Sequence, residues 1–93
     1  MITYDQAHHE AVVKLLTLTN NRGYTAWPNV TGRGSHTGDP HLGSHAWPTT
    51  NSAIFTVVED HRLRSLMAKL AELDKERPLL GLHAFAWTIE DYI

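Results

Sequence analysis

Apolar positions along the chain alternate between two spacings. Ile2-Thr3-Tyr4 predicts a short opening strand. Asp5 follows it, a residue that can accept hydrogen bonds from the free amides at the start of a helix. From Ala7 to Asn20, Ala11, Leu15 and Leu18 fall on one face with Val12 and Leu16 beside them, the 3.6-residue period of a helix packed on one side. Asn20-Asn21-Arg22-Gly23 ends it, with Gly23 suited to a left-handed stop. Tyr24 to Val30 predicts a second strand. Its Pro28 has no N–H to donate, which confines that end to an edge or a departure from the sheet.

Residues 31–50 read as one long loop, rich in glycine and ending near Pro48. Loops of this length without structure of their own are uncommon in compact domains and are usually functional or disordered. Ala53 to Val58 predicts a strand with no polar alternation, as expected where both faces are covered. Glu59-Asp60 then caps a helix from His61 to Glu76, whose core stripe is Leu63, Leu66, Met67, Leu70 and Leu73. Pro78 and Gly81 end it, and His83 to Ile89 predicts the last strand, large residues on one face and small on the other.

The order strand, helix, strand, loop, strand, helix, strand predicts a single α+β domain over residues 1–93. The expected form is a ferredoxin-like βαββαβ sandwich, a four-stranded antiparallel sheet with two helices on one face. Two helices leave the other face open. The doubly apolar strand 53–58 and the stripe Phe85, Trp87 and Ile89 therefore predict that the open face meets further copies of the chain. Length points the same way, since a domain of 93 residues buries a thin core. There is no cysteine to add disulfides or a thiolate metal site.

Eight Lys and Arg against ten Asp and Glu leave a net charge of -2, without the basic footprint of a nucleic-acid binder. No apolar run approaches the roughly 20 residues that cross a bilayer. The opening Met1-Ile2-Thr3-Tyr4-Asp5 lacks the features of a signal peptide, so the expected location is cytoplasmic.

Several segments resemble the PII-like signalling proteins, in a divergent short-loop branch. Gly23-Tyr24, Trp27-Pro28 and Gly32-Arg33-Gly34 look like the second strand running into that family's long T-loop. Gly43-Ser44-His45-Ala46-Trp47-Pro48, Asn51 and Phe55-Thr56-Val57-Val58-Glu59-Asp60 look like the return strand. Phe85-Ala86-Trp87-Thr88-Ile89-Glu90 resembles the final strand. The resemblance implies a homotrimer with its sheets facing inward and an adenine-nucleotide site in the clefts between subunits. It also implies control of an unidentified target protein through the loop. Typical members carry a glycine-rich basic turn before the last strand that cradles phosphates. Here that turn is Arg77-Pro78-Leu79-Leu80-Gly81-Leu82, with Gly81 and Arg77 able to serve and no lysine.

Chemistry-bearing residues concentrate in the loop. His36, Asp39, His41 and His45 are suitable ligands for a divalent transition metal, although their spacing follows no standard motif. Solvated loop histidines are the plainer alternative. Gly32-Arg33-Gly34 could present backbone amides and a guanidinium to an anion, or be an ordinary turn. Trp47 is the ring best placed to face a ligand or another subunit, whereas Trp87 is expected to pack. His83 reads as a hydrogen-bonded core histidine, and His8, His9 and His61 as solvated. The functional expectation is a regulatory protein sensing a small effector through Gly32, Arg33, Gly34, Trp47 and Gly81, not an enzyme. Its alternative is a protein of metal homeostasis that uses His36, His41 and His45. An enzyme built on a histidine such as His45 ranks last.

Overall fold

Asp5 is where the first strand turns into the first helix. Strand β1 (Ile2–Asp5) ends in a 3-10 turn (Gln6–His8), and the Asp5 carboxylate accepts a hydrogen bond from the Ala7 amide at 2.9 Å. Helix α1 (His9–Leu18) follows directly, so the cap opens the 3-10 turn and the α-helix begins two residues later than its periodicity predicts. The remaining elements are β2 (Thr25–Val30), β3 (Asn51–Phe55), α2 (Asp60–Glu76) and β4 (His83–Ala84). This computed structural model describes residues 1–32 and 50–93.

The sheet order is β2-β3-β1-β4, with every neighbouring pair antiparallel. The expected α+β, ferredoxin-like arrangement is therefore the observed one. Because side chains alternate along a strand, the register sorts the sheet into two faces. Ile2 pairs with Ile54 on one side and Ala84 on the other, and Ala26 also pairs with Ile54. Ile2, Tyr4 and Ile54 point from this row toward the helices. They join Val12 and Leu16 of α1, Leu66 and Leu70 of α2, and Leu80 in one buried cluster.

The opposite face carries Thr25, Trp27, Thr3, Ala53, Phe55, His83 and Phe85. Neither helix covers it. Trp27 is 47% exposed and Phe85 58%. Trp87 lies on the same side, its ring 6.2 Å from that of Phe55 and 57% exposed in the single chain.

Four expectations are corrected. Leu18 is 76% exposed, because it lies in the last turn of α1 and the inward stripe is Val12 and Leu16, flanked by Val13 and Leu15. Strand β3 runs from Asn51 to Phe55 and stops short of Val58, since its neighbours end level with it: Thr25 opens β2 opposite Phe55, and Ile2 opens β1 opposite Ile54. Strand β4 is only His83–Ala84. After it, Phe85 and Met1 exchange backbone hydrogen bonds of 2.9 Å in both directions, and residues 86–93 pass beyond the end of β1. His83 is exposed on the open face, because its ladder partner is Thr3 and not the core-facing Ile2.

Candidate functional site

Both feet of the 31–50 loop converge on the 3-10 turn. At the first foot β2 carries an irregularity between Trp27 and Val30, and Asn29 inside it adopts a left-handed φ of 58°. The bulge takes Asn29 out of the regular ladder. Its amide donates instead to Oε1 of Gln6 at 2.8 Å. At the second foot, the Thr50 hydroxyl donates to the same Gln6 oxygen at 3.0 Å, and the Gln6 amide donates to the Thr50 carbonyl at 2.8 Å.

One residue back, the Asp5 amide donates to the Leu80 carbonyl at 2.8 Å. This joins the Arg77–Leu82 turn to the same end of the molecule. Nη1 of Arg77 lies 3.4 Å from Nδ1 of His8, which brings the turn's guanidinium beside the 3-10 turn. The loop feet and the turn thus attach to consecutive residues of the chain.

Beneath them lies a hollow of about 560 Å³ lined by Gln6, His9, Glu10, Ala26, Pro28 and Ser52. Ser52 and His9 of its wall both bond to the buried Tyr4 behind them. Tyr4 and Ser52 are both buried, and the Tyr4 hydroxyl hydrogen-bonds to Nδ1 of His9, whose ring stacks at 5.9 Å on the phenol. Burial pushes the Tyr4 phenol up to about 12, against a smaller opposing effect of its hydrogen bond with Ser52 and a further upward push from Tyr24. A phenol so placed stays protonated at neutral pH, and it serves as a fixed hydrogen-bonding group and not as a base.

Of the residues expected to bind a ligand, Gly32 and Gly81 fall among those described. Each has a local reason to be glycine. Gly81 sits at φ 57°, a left-handed conformation that any side chain would strain. A Cβ on Gly32 would come within 3.1 Å of Nδ2 of Asn51. Arg33, Gly34 and Trp47, with the loop histidines His36, His41 and His45, lie outside the described residues. Among the described residues, no cluster of three or more histidines and carboxylates could hold a metal ion, and no helix is long and apolar enough to cross a membrane. His9 is half-buried against Tyr4 where a solvated side chain was expected. The roles of Gln6, Asn29 and Thr50 have no local signal in the sequence.

A second hollow, of about 650 Å³, opens between Leu63 and Met67 of α2, Phe55 at the end of β3, and Trp87 and Tyr92 of the tail. It continues the apolar character of the open sheet face around the edge of the domain.

No family model, curated protein or solved structure matches the chain.

Proposed function

We propose that the chain is a PII-like regulatory protein, a cytoplasmic trimer that binds a small effector between its subunits and signals to a target protein through the 31–50 loop. The observation that carries this reading is the sheet face that neither helix covers and that stands open among the described residues. Aromatic rings at Trp27, Phe55, Phe85 and Trp87 stand on the side that neither helix covers, with three of them about half exposed in the single chain. Large apolar side chains exposed on one face support an association site there. The effector implied by the resemblance is an adenine nucleotide, with Arg33 and the amides of Gly32, Gly34 and Gly81 toward its phosphates.

The test is thermal melting against adenosine di- and triphosphate. A ligand at 100 times its dissociation constant adds about 2.7 kcal/mol, which raises the melting temperature of a domain this size by on the order of 10 °C. Calorimetry should then show weaker binding for Arg33→Ala, by roughly 1.5–3 kcal/mol for a lost charged hydrogen bond. A melting curve that neither nucleotide moves removes the nucleotide from the reading.

The concentration of His36, Asp39, His41 and His45 in ten residues favours a second reading, a divalent-metal site used in metal homeostasis. Imidazole binds metal in its neutral form, so affinity should fall below about pH 6 as protons compete. Zinc titration of the parent against His41→Ala and His45→Ala tests it. Equal binding by all three proteins, or none by any, ends the metal reading.

A further inference from the structure

Gln6 occupies an unusual position for a helix-opening residue. It lies in the 3-10 turn, and its side-chain oxygen is turned toward β2 and the residue before β3. Its single carboxamide oxygen accepts from both ends of the segment that joins β2 to β3, at 2.8 Å from the Asn29 amide and 3.0 Å from the Thr50 hydroxyl. These partners are 23 and 44 residues away along the chain. The Gln6 amide adds a third bond, to the Thr50 carbonyl. Asn29 is free to turn its amide toward Gln6 because the bulge in β2 has taken it out of the ladder, at the cost of a left-handed backbone. Two departures from regular structure, the bulge and the 3-10 turn, therefore meet in one hydrogen-bonded knot. The amide immediately before, that of Asp5, holds the Leu80 carbonyl, and Leu80 is itself held by its amide on the Arg77 carbonyl at 3.0 Å.

We propose that Gln6 is a positioning residue that latches the two feet of the 31–50 loop and couples their spacing to the Leu80–Gly81 turn. A change at the loop that parts Asn29 from Thr50 must break or move the Gln6 bonds. Because Gln6 and Asp5 are adjacent, that movement passes to the Leu80 carbonyl without crossing the hydrophobic core. The inference concerns the wiring of the fold and does not rest on the regulatory reading above, so it can stand or fall separately.

The chemistry makes the test specific. Both side-chain bonds use Gln6 as an acceptor. Glutamate keeps the acceptor oxygen and should work as the latch, whereas methionine keeps the length and volume and should not. A residue that merely filled space would show the reverse order. The measurement is amide hydrogen exchange on the intact chain carrying Gln6→Met or Gln6→Glu. Loss of one hydrogen bond predicts roughly five- to tenfold faster exchange at Asn29 in the methionine variant, with a smaller rise at Asp5, and near-parental rates in the glutamate variant. Thr50→Val removes one of the two donors with Gln6 intact, and it should loosen Asn29 by roughly twofold even if the methionine variant fails to fold. Parental exchange at Asn29 in the methionine and valine variants overturns the latch. So does equal loosening by methionine and glutamate, or a rise matched at Val12, Leu16 and Ile54, which would mean general destabilisation. An Asp5 amide that stays parental while Asn29 loosens overturns the coupling to the turn.

Discussion

If the chain assembles as the proposed trimer, replacing Trp27 or Phe85 by aspartate is expected to leave folded single chains. Light scattering should give three times the 10.5 kDa chain mass for the parent and the mass of one chain for either variant, at micromolar concentration. Circular dichroism should stay close to that of the parent. The asymmetry follows from where the two side chains stand. Both are about half exposed in the single chain, on the face away from Val12, Leu16, Leu66 and Leu70, so the core of the subunit does not depend on them. In the proposed trimer each would be buried once per subunit. A large apolar side chain contributes about 1.5–3 kcal/mol when fully buried. A carboxylate in its place must in addition be desolvated without a partner, at a cost of several kcal/mol. Multiplied over the copies, this exceeds what an interface of small domains can absorb. A parent chain of 10.5 kDa in solution would sink the trimer itself.

Tyr4→Phe should lower stability at neutral pH and abolish a specific loss of stability in alkali. At pH 7 the substitution removes one hydroxyl and leaves His9 Nδ1 and the buried Ser52 hydroxyl short of a partner, which costs about 1–3 kcal/mol. For a domain of this size, the melting temperature should fall by roughly 4–8 °C per kcal/mol. The alkaline effect follows from the raised ionisation. In the unfolded chain the phenol loses its proton near the ordinary value of about 10. In the folded chain it holds it to about 12, because burial opposes the phenolate. Between those limits the unfolded state binds fewer protons than the folded one, so stability falls as pH rises. The contribution is complete below pH 10 and is lost on the way to 12, with a slope of up to about 1.4 kcal/mol per pH unit. The phenylalanine variant lacks that slope, so the gap between the two proteins should close over the interval. Urea midpoints for both proteins from pH 9 to 12 measure it. Parallel curves would mean that Tyr4 ionises as freely folded as unfolded.

The element order and the inward faces of the helices could be read from periodicity, and Asp5 could be read as a cap, because each is encoded within a few residues. Strand lengths could not. Residues 85–89 alternate as a strand should, yet pairing stops where Phe85 meets Met1, and the limit is set by the neighbour and not by the segment itself. The same reason places His83 outward, since register with Thr3 decides its face. Leu18 shares the Ala11–Leu15 side of α1, but the helix turns Val12 and Leu16 inward, which leaves Leu18 on the far side. The loop site was legible only as composition, and Arg33, Gly34, Trp47 and the three loop histidines lie outside the described residues. Gln6 carried no signal because its partners lie on distant strands, and a lone glutamine after a capping aspartate looks like surface.

The bulge in β2 has one more effect. An exposed strand edge is a template on which other chains can add, and long flat edges invite aggregation. Here one edge of the sheet is β2, where Pro28 offers no amide and the kink at Asn29 turns the backbone out of line. The other is β4, only two residues long. Among the described residues, neither border gives an incoming strand a long run of regular hydrogen-bonding groups. The exposed rings of Trp27, Phe85 and Trp87 are thus accompanied, among the described residues, by borders that do not seed ribbons, which confines sticking to one direction.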